Sequence, residues 1–195
     1  MLEQKKLLVV MLGIFLLILT GCGNQTPIED PLNYEVQSFS YTNQNGEAVS
    51  LDDLKGNVWV ANFIFTNCET VCPPMTAHMS ELQEKMKSKG VNARIISFSV
   101  DPEVDTPEKI KEFTAPYSIS FENWDFLTGY SQKEIEEFAR ESFKTIVQKP
   151  KTGDQVVHGT SFYVIDQNGV VMKDYNGVEN PPYDQIIQDI NALNK

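Results

Sequence analysis

Two cysteines close an apolar run in Val58-Trp59-Val60-Ala61-Asn62-Phe63-Ile64-Phe65-Thr66-Asn67-Cys68-Glu69-Thr70-Val71-Cys72-Pro73. Thiolates attack sulfur and ligate soft metals, so the pair offers redox chemistry or a metal site. The chain has three cysteines, and Cys22 directly follows an N-terminal leader, far from the others, which leaves Cys68 and Cys72 as an isolated pair. A bridge across so short a loop constrains little of the unfolded chain, so a purely stabilising disulfide explains it poorly. No second Cys or His pair completes a classical zinc module. A position just before a helix would stabilise the thiolates through the helix dipole.

The elements that position this pair follow from the hydrophobic pattern. Val58–Phe65 is an apolar, β-branched and aromatic run, the signature of a central strand. Pro73 and Pro74 suit a first helical turn, and a helix should run to Lys89 with Gly90 as its stop. Met75, Met79, Leu82 and Met86 give that helix an apolar stripe. On it His78 reads as solvent-facing, and the methionines as core. Arg94–Val100 is the next strand. The loop Asp101–Pro107 leads into a helix with Thr106 as N-cap and Pro107 at its first position, continuing through Ile110 and Phe113. Trp124–Leu127 is a short strand, and Gln132–Phe143 an amphipathic helix. Val156–Asp166 reads as one strand, turning through Gln167-Asn168-Gly169 into Val170–Tyr175. Pro182–Leu193 closes the chain as a helix. Ahead of the cysteines, Phe39–Ser50 reads as a hairpin turning at Asn43-Gln44-Asn45-Gly46, and Leu51–Leu54 as a short helix.

That order predicts an α/β, thioredoxin-like fold: a mixed central sheet, helices on both faces and an N-terminal β-hairpin. Open α/β sheets place their chemistry at the carboxyl ends of strands, where Cys68 and Cys72 fall.

The N-terminus sets the compartment. Lys5 and Lys6 precede the apolar run Leu7–Leu19, which ends in Leu19-Thr20-Gly21-Cys22. This is a secretory signal, too short to span a bilayer comfortably. It resembles the lipobox of bacterial lipoproteins, which implies cleavage before Cys22 and lipid modification of that cysteine. The expected organisation is a signal peptide at 1–21, a lipidated polar tether at 22–35 with Pro27 and Pro31, and a single domain at 36–195. The protein is then held at the cell membrane, facing the extracytoplasmic side. The net charge is −11, and the leader is itself positive, so the remainder is more acidic still. That balance disfavours nucleic acid and anionic membrane surfaces as partners.

Three segments together carry a family resemblance: Cys68-Glu69-Thr70-Val71-Cys72-Pro73, Ser99-Val100-Asp101-Pro102-Glu103-Val104-Asp105-Thr106-Pro107, and Val157-His158-Gly159-Thr160-Ser161-Phe162-Tyr163-Val164-Ile165-Asp166. The sequence from about Tyr34 onward resembles the SCO/SenC family of thioredoxin-like proteins that serve copper delivery to cytochrome c oxidase. The resemblance implies copper ligands at Cys68, Cys72 and His158; by itself His158 reads as a surface histidine. It also implies a partner in the oxidase subunit that carries the binuclear copper centre, with the copper donor or thiol reductant unidentified. Cu(I) suits two thiolates and an imidazole, and Cu(II) would add an oxygen or water. Zn²⁺ also accepts a Cys₂His set with an open position. Asp101 reads either as an outer partner that orients the site or as a loop-start cap. Metallochaperone is the primary reading. The alternative is a thiol–disulfide oxidoreductase acting on the cysteines of the oxidase copper centre. A peroxidase on the same fold is disfavoured, because its single attacking cysteine is replaced by a pair.

Overall fold

The computed structural model describes residues 28–195; the leader, Cys22 and the expected tether up to residue 27 lie outside them. The centre is β4 (Trp59–Ile64), buried along its whole length. It pairs in parallel with β5 (Arg94–Ser99) and antiparallel with β9 (Ser161–Ile165). β6 (Trp124–Leu127) continues the sheet beyond β5 in parallel. β10 (Val170–Asn176) and β1 (Tyr34–Glu35) continue it antiparallel beyond β9. The strand order is β1-β10-β9-β4-β5-β6, a mixed sheet with helices on both faces.

Each helix has a local reason to start where it does. In α1 (Leu51–Leu54) the Ser50 hydroxyl and the Asp53 carboxylate cap each other's backbone, a reciprocal capping box. Ser131 and Glu134 do the same for α4 (Gln132–Phe143). Thr106 caps α3 (Pro107–Thr114), with Pro107 at its first position as expected. The closing helix is α5 (Tyr183–Leu193).

α2 (Cys72–Ser88) has no side-chain oxygen cap. A helix leaves its first N–H groups without internal partners. Here Pro73 and Pro74 remove two of them, and Met75 N–H already bonds Val71 O at 3.1 Å. The Cys72 N–H points to Cys68 Sγ at 3.3 Å. The sequence around the cysteines therefore leaves one free donor at the helix start and a sulfur to accept it.

One face of the sheet carries an aromatic cluster. Phe63 of β4 and Phe98 of β5 lie beside Phe143 of α4, and Phe39 packs edge-on against Phe98 and Phe138. On the other face α2 carries Met75, Met79, Leu82 and Met86, all buried as the stripe predicts. Alternation along the strands also buries a polar chain, Trp124 Nε1–H to Ser97 Oγ at 2.9 Å and Ser97 Oγ–H to Asn62 Oδ1 at 2.6 Å.

Two sequence expectations change. Tyr34–Glu35, assigned to the tether, is strand β1, and Leu32 N–H already bonds Met172 O at 3.0 Å. The strand expected over Val156–Asp166 is two. β8 (Val157–His158) pairs with β7 (Val147–Gln148) in a separate ribbon, and the main sheet resumes at Ser161. The break falls at Gly159, where a Cβ would lie 2.2 Å from Thr145 Oγ1. The hairpin of β2 (Ser40–Thr42) and β3 (Ala48–Ser50) is present as expected, and the first two residues of its turn are buried. Asn43 Nδ2–H bonds Asp125 Oδ1 at 2.9 Å, and Gln44 Oε1 accepts Phe126 N–H at 2.8 Å. The turn thus covers the open edge of β6, which would otherwise be free to pair with another chain.

Candidate metal centre

Cys68 and Cys72 lie just beyond the carboxyl end of β4. β9 runs antiparallel to β4, so the residues that lead into β9 emerge at that same end. The sheet thus brings His158 to Cys72 across 86 residues of sequence, with Cys72 Sγ and His158 Nε2 3.5 Å apart. One ligand atom from each of Cys68, Cys72 and His158 lies within 4.8 Å of the other two. Both cysteines are free thiols and buried, and the histidine is half-buried.

The histidine is held by its other nitrogen. Nδ1–H donates to Gly159 O at 2.8 Å, which leaves the Nε2 lone pair facing the sulfurs. Fixing the tautomer through the distal nitrogen is the usual way a protein aims an imidazole ligand. Phe65 stands edge-on to the ring at 5.7 Å between centroids.

The two sulfurs perturb each other in opposite directions. Hydrogen bonding from the Cys72 side chain and then its backbone N–H holds Cys68 well below the ordinary thiol range, against the effect of burial. Cys72 is pushed up, first by its bond to Cys68 and then by burial. Of the two, Cys68 is the easier to deprotonate and Cys72 the harder. Two thiolates and a neutral imidazole fit a soft monovalent ion such as Cu(I), and their span leaves room for a single ion. Binding would release the Cys72 proton.

A buried carboxylate missed by the sequence reading locks the surrounding loops. Asp105 accepts the Thr66 N–H at 3.1 Å, the Thr66 hydroxyl at 2.6 Å and the Ser99 hydroxyl at 2.6 Å. Its backbone O accepts the Thr128 hydroxyl at 2.7 Å. It thereby ties the strand end before Cys68 to the ends of β5 and β6. Burial raises its pKa against those bonds, which lower it. Its signal in the sequence was the Asp-Thr-Pro of the loop, where Thr106 drew attention as the cap.

Asp101 is also buried, but its carboxylate bonds Lys149 Nζ at 2.8 Å, and Glu103 joins the same ammonium at 2.9 Å. It ties the loop to Lys149, the residue that follows β7, and no hydrogen bond joins it to the three candidate ligands. His78 is half-buried, contrary to the solvent-facing expectation, because its Nδ1–H bonds Gly177 O at 2.9 Å. Met75 and Met79 are core. Glu69 is exposed.

Comparison with known proteins places this geometry. The SCO1/SenC family profile matches residues 29–195. The SCO1 protein homolog of Bacillus subtilis (strain 168) is 62% identical over 180 residues, 92% of this chain and 93% of that protein. A SCO1/SenC family lipoprotein from Bacillus anthracis str. Ames is similar in structure, with a TM-score of 0.84 and 49% identity, covering 87% of this chain and 100% of that one. BsSco, described with a disulfide switch and as a member of the Sco family of cytochrome c oxidase assembly proteins, matches at TM-score 0.82 and 62% identity over 87% of this chain and 99% of its own. ScoI of Bradyrhizobium japonicum with copper bound matches at TM-score 0.67 and 27% identity over 82% and 99%. Among the described residues no helix is long and apolar enough to cross a membrane. The thioredoxin-like sheet, the CxxxC pair and the histidine brought to it together belong to a recognised group: this chain is a member of the SCO1/SenC family.

Proposed function

We propose that this protein is a copper metallochaperone for cytochrome c oxidase, taking one copper ion between Cys68, Cys72 and His158 and passing it to the binuclear copper centre. The observation that carries this reading is the convergence of two sulfurs and a tautomer-fixed imidazole nitrogen within 4.8 Å. The copper-bound relative and the oxidase-assembly relative support the cargo and the destination. The tether ends in a lipid anchor at Cys22 on the extracytoplasmic side, a reading supported by the lipoprotein from Bacillus anthracis. Cys22→Ala should leave an uncleaved precursor, and cutting after Gly21 in that variant would reject the anchor.

A second reading has its own observation: Cys68 Sγ accepts the Cys72 N–H at a helix start, with a second free cysteine beside it. In it the Cys68 thiolate attacks a disulfide of the oxidase copper centre, forming a mixed disulfide and releasing one target thiolate. Cys72 loses its proton and attacks Cys68, releasing the second target thiolate; the pair ends oxidised and the target reduced by two electrons. Deletion of the protein should lower oxidase activity under both readings. Added copper restores it if delivery is the task, because excess metal bypasses a carrier by mass action. Rescue by a small thiol reductant, with none from copper, would move the assignment to the oxidoreductase.

A further inference from the structure

His158 sits in β8, a strand of two residues that pairs only with the two residues of β7, in a ribbon outside the main sheet. So small a ribbon is marginal on its own. The place of the imidazole must therefore be set by contacts with the rest of the molecule. On the entry side Gln155 Nε2–H bonds Asn67 O at 3.0 Å, one residue before Cys68. On the exit side Thr160 O, just past Gly159, accepts the Gly177 N–H at 2.9 Å.

Gly177 is held in turn by α2. Its carbonyl oxygen lies 2.9 Å from His78 Nδ1. A carbonyl oxygen can only accept, so Nδ1 carries the hydrogen. The approach of the two chains is close: a Cβ at 177 would stand 2.7 Å from Phe162 Cε1 and 2.8 Å from Thr160 O. Only glycine lets them meet there. The Asn176 side-chain oxygen accepts the Val178 and Glu179 N–H groups at 2.8 Å and 3.1 Å, which closes the turn that carries Gly177.

These contacts form a ring. Cys72 is the first residue of α2, and His78 lies further along the same helix. From His78 the ring passes to Gly177, to Thr160 and back along the chain to His158, whose Nε2 is 3.5 Å from Cys72 Sγ. Both ends of the ring rest on one helix, so the contact at His78 governs the gap at Cys72. His78 is half-buried and does not itself join the cluster of ligand atoms.

The geometry points to His78 as a positioning residue for His158. Acting through Gly177 and Thr160, it fixes how far the imidazole stands from Cys72, and so how well the three ligand atoms close on one ion. The inference rests on the ligand set proposed above.

The test uses the full-length chain in detergent and two substitutions. His78→Phe keeps a ring and removes the donor. His78→Asn keeps an N–H on the atom bonded to Cγ, where the imidazole has Nδ1. His, Phe and Asn have similar helix propensities. In the ion-free protein, amide exchange at Gly177 should quicken about tenfold in His78→Phe and return towards the unsubstituted rate in His78→Asn. Cu(I) competition titration should show affinity about tenfold weaker in His78→Phe, the scale on which outer partners act, and largely restored in His78→Asn. In a His158→Ala chain, His78→Phe should weaken Cu(I) binding no further, because the residue it positions is gone. Unchanged affinity in His78→Phe overturns the proposal. So does an equal loss in the presence and absence of His158, which would make the effect a general one on the fold. If His158→Ala alone leaves Cu(I) affinity unchanged, the ligand reading fails first and the proposal falls with it.

Discussion

Gly159→Ala tests how the histidine is aimed. The new Cβ would meet Thr145 Oγ1 at 2.2 Å, Thr145 Cβ at 3.3 Å and the Tyr163 hydroxyl at 3.4 Å, where ordinary contact begins at 3.4 Å. The backbone at 159 is not in the left-handed region, so the penalty is steric and not conformational. Relief requires Thr145 to rotate or the ribbon to shift. Overpacking of this kind costs about 1–3 kcal/mol of stability. The shift also moves Gly159 O, the acceptor that orients His158, and disturbing such an outer contact lowers metal affinity roughly 10- to 100-fold. Urea unfolding of the ion-free protein reads the first effect, and Cu(I) competition titration reads the second. Thr145→Ala in the same chain removes the obstructing hydroxyl and should recover about 1 kcal/mol or more of the lost stability, the coupling expected of contacting residues. Gly159→Ala with unchanged stability and affinity, or a penalty that Thr145→Ala does not reduce, would refute the reasoning.

Other outcomes follow from the same contacts. Asp105→Asn leaves one acceptor oxygen before three donors, the Thr66 N–H and the Thr66 and Ser99 hydroxyls, and should cost about 2–4 kcal/mol in urea unfolding. Ser131→Ala removes the α4 cap and should cost about 1 kcal/mol. Glu134 sits below the ordinary carboxylate range because Ser131 donates to it; its contribution is present at neutral pH and lost as pH falls through the folded-state value, so Glu134→Gln should flatten the acid limb of the stability curve. Closing Cys68 and Cys72 into a disulfide should abolish copper uptake, checked by titrating oxidised and reduced protein side by side.

The cysteines were legible because the apolar run before them and the prolines after them are local signals. His158 was legible only through the family motif. Its partnership with Cys72 depends on β9 lying antiparallel to β4, a pairing that no sequence window contains. The ribbon was hidden for a related reason: Val156–Asp166 has β-branched and aromatic residues on both sides of Gly159, and only that glycine marks where the chain leaves one sheet for another. Asn43 and Gln44 read as turn residues, which they are, but their burial depends on the distant edge of β6. Asp101 and Asp105 stand four apart in one loop, and composition cannot say which carboxylate meets Lys149 and which meets Thr66. The caps at Ser50, Thr106 and Ser131 are set within one turn of chain, and the helix starts at Leu51, Pro107 and Gln132 came out where the pattern put them.

The central claim is that Cys68, Cys72 and His158 together hold one copper ion. Anaerobic titration of the reduced protein with Cu(I), repeated on Cys68→Ser/Cys72→Ser and on His158→Ala, tests it directly. The account predicts one tightly bound ion per chain, none in the double cysteine variant, and weakened binding without loss of fold in His158→Ala. Copper that still binds at one per chain after both cysteines are replaced would contradict it.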